Sequence, residues 1–227
     1  TRKESQKGQD SIRKKAVRIF SLEDYVRDGM LSLTYKAYIE QAIAARKNIL
    51  IVGGTGTGKT TFLNAVLAAI ARISPYHRII SLEDLPELQC PADDYSPMFT
   101  KQDTGQGGIR YNMTRLLADC MRRSPDRIVV GEVRDGAAYT MLKAWNTGHP
   151  GGIATLHADS ALDALGRLED LVAERLTAPM HRLISRAINV VVFIRKTPEG
   201  RQISEVAFVH GYDSSSHAYN LEYVFKS

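Results

Sequence analysis

The chain has 227 residues, 44% apolar and 24% charged, with 30 basic and 25 acidic side chains. That suffices for one domain with extra material or two small ones, and for a proper core. No stretch nears the roughly 18 uninterrupted apolar residues of a membrane span, no apolar run marks a signal peptide, and two isolated cysteines, Cys90 and Cys120, form neither a zinc spacing nor a disulfide framework.

Residues 1–18 hold the whole charge excess: Arg2, Lys3, Lys7, Arg13, Lys14, Lys15 and Arg18 against Glu4 and Asp10. Such a run reads first as a solvated linker, with acidic lipid or nucleic acid as alternative contacts. Ser21-x-x-Asp24 predicts a capped helix through about Asp28, ended by Gly29. Tyr35–Arg46 reads as a second helix. Residues 1–47 thus form a basic linker and short helices, and 48–227 the principal domain. There, short apolar strands (Asn48–Val52, Arg78–Leu82, Arg127–Gly131, Ile153–Leu156, Ala187–Ile194) alternate with helices near 60–73, 110–122, 136–146 and 160–176. Alternation of this kind predicts an α/β fold, a mostly parallel sheet flanked by helices. Thr197-Pro-Glu-Gly200 reads as a turn leading into Ile203–Val209, a C-terminal β-hairpin.

The first strand runs into Gly53-Gly54-Thr55-Gly56-Thr57-Gly58-Lys59-Thr60, followed by Thr61 and a helix. Strand, Gly-x-x-x-x-Gly-Lys-Thr and helix in that order build a phosphate cradle. Glycines let backbone N–H groups wrap an anion, and the helix aims its positive end at the same charge. Lys59 can reach β/γ-phosphates and the Thr60 hydroxyl can ligate Mg²⁺, so a nucleoside triphosphate with Mg²⁺ is the expected ligand.

Three clusters end other strands. Glu132 closes Ile128–Gly131, where a carboxylate holds Mg²⁺ through water or polarises the attacking water. Glu83, with Asp84 and Glu87, closes another strand, and Mg²⁺ on Thr60 would have Glu132 or Glu83 behind its waters. His157 ends a third strand, with His149 a weaker companion before it, and its imidazole could report the γ-phosphate. Arg110, Arg115, Arg122 and Arg123 are candidates to serve a neighbouring subunit's site, though each reads singly as a solvated helix face.

Together Gly53–Thr60, Arg78–Glu87, Ile128–Glu132 and Gly148–His157 resemble the Walker A loop, Asp box, Walker B and His box of the traffic ATPases of bacterial type II and type IV secretion. Ser124–Asp135, Leu142–Ala158 and Gly211-Tyr-Asp213 resemble the conjugal transfer branch. The resemblance implies a RecA-like P-loop ATPase domain with Glu132, Glu83 and His157 as catalytic residues. It implies a hexameric motor at the cytoplasmic face of the inner membrane, powering pilus or channel assembly and DNA transfer. Its partners would be the system's other ATPases and inner-membrane components, with peripheral membrane contact and no stable nucleic-acid complex. Relatives carry an N-terminal domain that this chain is expected to lack, and many have Arg where Ser124 stands. Three other readings stay open: a nucleic-acid-stimulated translocase or helicase resting on residues 1–18, a type IV pilus or type II secretion ATPase, and a nucleotide-gated scaffold with little turnover.

Overall fold

A computed structural model describes residues 19–101 and 111–224. The basic segment 1–18 and Arg110 lie outside the described residues. In chain order the elements are α1 Leu22–Arg27, α2 Leu33–Ala44, β1 Ile49–Val52, α3 Lys59–Ile73, β2 Ile79–Glu83, β3 Tyr95–Phe99, α4 Met113–Cys120, a 3₁₀ turn Met121–Arg123, β4 Arg127–Val133, α5 Ala137–Asn146, β5 Ile153–Leu156, α6 Ala161–Ala173, α7 His181–Ala187, β6 Val190–Thr197, β7 Gly200–Asp213 and β8 Ala218–Tyr223. They form one sheet of order β3-β2-β4-β5-β1-β6-β7-β8. The first six strands are parallel, and β7 and β8 extend the sheet antiparallel. The expected α/β fold, a mostly parallel sheet with flanking helices, is observed.

Burial explains the short apolar strands. All four residues of β1 are buried because helices cover both faces. Side chains alternate across a strand, so Leu50 and Val52 join the core under α4 to α7, while Ile49 and Ile51 join that under α1 to α3. In the second core Tyr25, Tyr35, Ile39 and Ile43 pack with Phe62 and Val66, which seats the two N-terminal helices on the sheet. Ser21 and Asp24 form the expected capping box, and Gly29 beyond the helix end has φ 72°.

Several expectations are corrected. The strand expected to start at Ala187 starts at Val190, because residues 181–187 complete a helix first. β7 spans 200–213 rather than 203–209, and β8 turns the expected hairpin into a three-stranded meander. Among the described residues the helix expected near 110–122 begins only at Met113, capped by Asn112. The edge strand β3 was not expected, since its sequence Tyr-Ser-Pro-Met-Phe breaks the alternation and contains a proline, which only edge strands tolerate.

Candidate functional site

β1, β2, β4 and β5 are parallel, so their carboxyl ends open on one edge of the sheet, where open α/β sheets hold ligands. The loop from Gly53 to Gly58 leaves β1 at that edge. A Cβ on Gly53 would sit 2.3 Å from the Ile194 carbonyl oxygen, so the missing side chain lets the loop lie against β6. Gly58 takes φ 95° at the start of α3 and no side chain caps that end. The N–H groups of Thr60 and Thr61 therefore face the cleft side of the helix start, where its positive end favours an anion. Lys59 Nζ arches back over the loop, donating to the carbonyls of Gly53 at 2.8 Å and Gly54 at 3.0 Å. The Thr57 hydroxyl closes the turn on the Gly54 carbonyl at 2.9 Å.

A cleft of about 640 Å³ adjoins this loop. Into it the fold brings Gly56, Gly58, Lys59, Thr60, Thr61, Glu83, Glu132 and His157, along with Thr55. Gly53, Gly54 and Thr57 shape the loop from behind.

The carboxylates differ in their surroundings. Glu83 is 3% exposed. Its Oε2 accepts the backbone N–H groups of Glu87 at 2.9 Å and Leu88 at 2.8 Å, and its Oε1 accepts the Ser81 hydroxyl at 2.9 Å. It organises the 84–88 loop in this state, a commitment that its place at a strand end does not reveal. Glu132 sits where β4 carries one more residue than β5 between Val130 and Val133. Such a bulge re-aims side chains, and the Thr155 hydroxyl ties it down by donating to the Gly131 carbonyl at 2.6 Å. Arg134 Nε donates to Glu132 Oε2 at 2.7 Å, and that hydrogen bond is the chief reason the Arg134 pKa is raised. Both side chains are partly exposed, so solvent screens the pair.

Glu87 is the carboxylate that meets Thr60, accepting its hydroxyl at 3.5 Å. Its place in the acidic run was visible, but its partner was not. Among the described residues no three His, Cys, Asp or Glu side chains form a metal cage. Mg²⁺ usually keeps several waters and takes phosphate oxygens plus one or two protein groups. A hydroxyl with a carboxylate beside it fits that need, and here the pair is Thr60 and Glu87.

His157 is exposed at the cleft, one residue past β5. His149 precedes β5 and so stands at the opposite edge of the sheet, away from the phosphate loop. Of the expected arginines, the three among the described residues do not line this cleft. Arg115 lies over the Tyr111 ring at 4.9 Å, Arg122 pairs with Asp119 at 3.5 Å, and Arg123 offers its carbonyl to Arg78. Two other arginines line the cleft, Arg134 and Arg201. Arg201 arrives from the start of β7, and no spacing in the chain links it to the loop 143 residues earlier than it. Both cysteines carry free thiols, and burial pushes Cys120 up to about 12, in keeping with an apolar filler.

The family described as "Type II/IV secretion system protein" matches residues 9–220. A probable conjugal transfer protein TrbB of Sinorhizobium fredii is 48% identical over 202 residues, covering 89% of this chain and 60% of that protein. A conjugal transfer protein TrbB of Rhizobium radiobacter is 45% identical over the same shares of both chains. The present chain thus spans 60% of the length of these relatives. Among solved structures, the VirB11 ATPase from the Brucella suis type IV secretion system, in complex with sulphate, superposes with a TM-score of 0.67 at 28% identity. That superposition covers 86% of this chain and 65% of the other.

Proposed function

The chain belongs to the type II/IV secretion system protein family, and from that premise we propose that it binds ATP with Mg²⁺ and hydrolyses it to ADP and phosphate. The reading extends to a motor domain of a bacterial conjugative type IV secretion system, the branch of its conjugal transfer relatives. One observation carries the enzymatic part: a Gly-Lys-Thr phosphate loop at an uncapped helix start opens onto a cleft that also gathers Glu83, Glu132 and His157.

In this reading the backbone N–H groups of 54–60 and Lys59 hold the β- and γ-phosphates. Mg²⁺ held at Thr60, with Glu87 beside it, would neutralise phosphate charge. Glu132 positions and polarises the attacking water once it leaves Arg134. Glu83 keeps the 84–88 loop, and with it Glu87, in register with Thr60. His157 donates to the γ-phosphate and registers its loss. Phosphoryl transfer needs little covalent chemistry from the protein, so positioning of this kind is its main contribution. Assembly into a homo-oligomeric ring, as a hexamer, would set the cleft near a subunit boundary. Contacts with other ATPases and inner-membrane components at the cytoplasmic face complete the proposal.

The test is a steady-state ATPase assay on wild type and Lys59→Ala. Loss of turnover in the variant, with the fold intact by circular dichroism, supports the reading. Wild-type turnover in the variant overturns it. A second reading, a nucleotide-gated scaffold, is favoured by the Glu132–Arg134 ion pair, in which a guanidinium occupies the candidate base. Sedimentation with an ATP analogue, alongside the rate measurement, separates the two: a ring with brisk turnover excludes the scaffold.

A further inference from the structure

We propose that Lys196 and Arg201, paired across the β6–β7 hairpin, form a second phosphate-binding element that closes on the nucleotide from the side opposite α3. The proposal rests on the nucleotide reading above and names two residues that no motif in the chain marks.

The two side chains are cross-strand partners, Lys196 opposite Arg201, with Thr197 opposite Gly200 closing the turn. Directly opposed residues share a face of the sheet, and like charges there repel. A carboxylate neighbour would relieve the repulsion, yet among the described residues neither side chain has an ion pair or a side-chain hydrogen bond. An opposed, uncompensated pair of cations is a feature that an anion between or beyond them would stabilise.

Their position says which anion. A Cβ on Gly56 would stand 3.4 Å from Lys196 Nζ. A Cβ on Gly58 would stand 3.2 Å from Arg201 Cδ and 3.5 Å from its Nη1. Both cations therefore lie on the phosphate loop itself, and Arg201 lines the cleft with Lys59 and Thr60. The hairpin is held there from two sides. Gly53 lets the loop contact the Ile194 carbonyl, and the Ile203 N–H donates to the Met30 carbonyl at 2.8 Å, tying β7 to the turn between α1 and α2. Lys59, Lys196 and Arg201 then offer three positive charges to one polyphosphate. A guanidinium adds bidentate geometry that an ammonium lacks.

The opposite face of the hairpin supplies a control. Arg195 faces Gln202 in the next register pair, so its side chain points away from the loop. Titration calorimetry of the full chain with Mg-ADP and with Mg-ATPγS, on wild type, Arg201→Ala, Arg201→Lys, Lys196→Ala and Arg195→Ala, tests the idea. Losing one charge-assisted contact weakens binding by about tenfold to a hundredfold. Arg201→Ala and Lys196→Ala are expected to raise both dissociation constants on that scale, Arg201→Lys to recover part of the loss, and Arg195→Ala to match wild type. Without nucleotide, Lys196→Ala and Arg201→Ala should melt at or above the wild-type temperature, since a repulsion is gone, while their nucleotide-induced shift shrinks. If both variants bind as Arg195→Ala does, the second element does not exist although the phosphate loop stands. If wild type binds neither nucleotide, the phosphate-loop reading and this proposal fall together.

Discussion

Glu83 and Glu132 end neighbouring parallel strands, yet their surroundings assign them different work. Glu83 is buried and answers two backbone N–H groups and a hydroxyl. Removing such an acceptor leaves buried donors unsatisfied, at about 1–3 kcal/mol each. Glu83→Ala should therefore lower stability by about 2–4 kcal/mol, read as an earlier denaturant midpoint, and loosen the 84–88 loop. Glu132 is partly exposed and, among the described residues, pairs with a screened arginine alone. Glu132→Gln should keep the wild-type melting temperature and nucleotide affinity while turnover collapses. Equal stability losses in the two variants would contradict this division of roles, and unchanged turnover in Glu132→Gln would remove Glu132 from the chemistry. The chain order reveals where carboxylates stand, because strand ends are legible from apolar runs. It cannot reveal which N–H groups they serve, since those belong to a loop whose path depends on the folded sheet.

At the scale of elements, the parts read correctly are those with strong local causes. Strand, glycine loop and helix around Lys59 follow from composition and order alone, and Ser21 caps its helix as its position implies. The parts missed are short or set by tertiary contact. β3 carries a proline and exists through pairing with β2, α7 is seven residues long, and β8 is mostly exposed and pairs only with β7. The hairpin was foreseen, but its approach to the phosphate loop was not, because nothing local encodes contact between residues 53 and 194. That contact is testable. Gly53→Ala would drive a methyl to within 2.3 Å of the Ile194 carbonyl oxygen, so loop and strand must separate. Overpacking of this sort costs about 1–3 kcal/mol. The expected result is a destabilised chain whose nucleotide affinity falls about tenfold or more, since each 1.4 kcal/mol is a factor of ten. Affinity equal to wild type would mean that the loop does not depend on its seat against β6.

Across the whole molecule the sheet separates binding from anchoring. Its carboxyl edge carries the nucleotide cleft, while its amino edge carries Arg127, which is fully buried and, among the described residues, in no ion pair. Burial pulls the Arg127 pKa down to about 10. Its guanidinium donates to the Ile43 carbonyl at 2.8 Å, the Gly151 carbonyl at 3.1 Å and His77 Nδ1 at 3.1 Å. It thereby joins the end of α2, the loop before β5 and the segment after α3 to the first residue of β4. Arg127→Met keeps much of the volume but removes the donor of the Gly151 carbonyl and leaves the Ile43 carbonyl with the Arg46 N–H, a loss of about 2–4 kcal/mol. In a domain of this size each kcal/mol moves the melting temperature by roughly 2–4 °C, so a fall of about 10 °C is expected. Sites far apart with no shared partners act nearly additively. The nucleotide dissociation constant should then stay within about threefold of wild type when measured well below the lowered melting temperature. A parallel loss of affinity would mean that the clamp at the amino edge sets the geometry of the cleft across the sheet, and that anchoring and binding are one property of this fold.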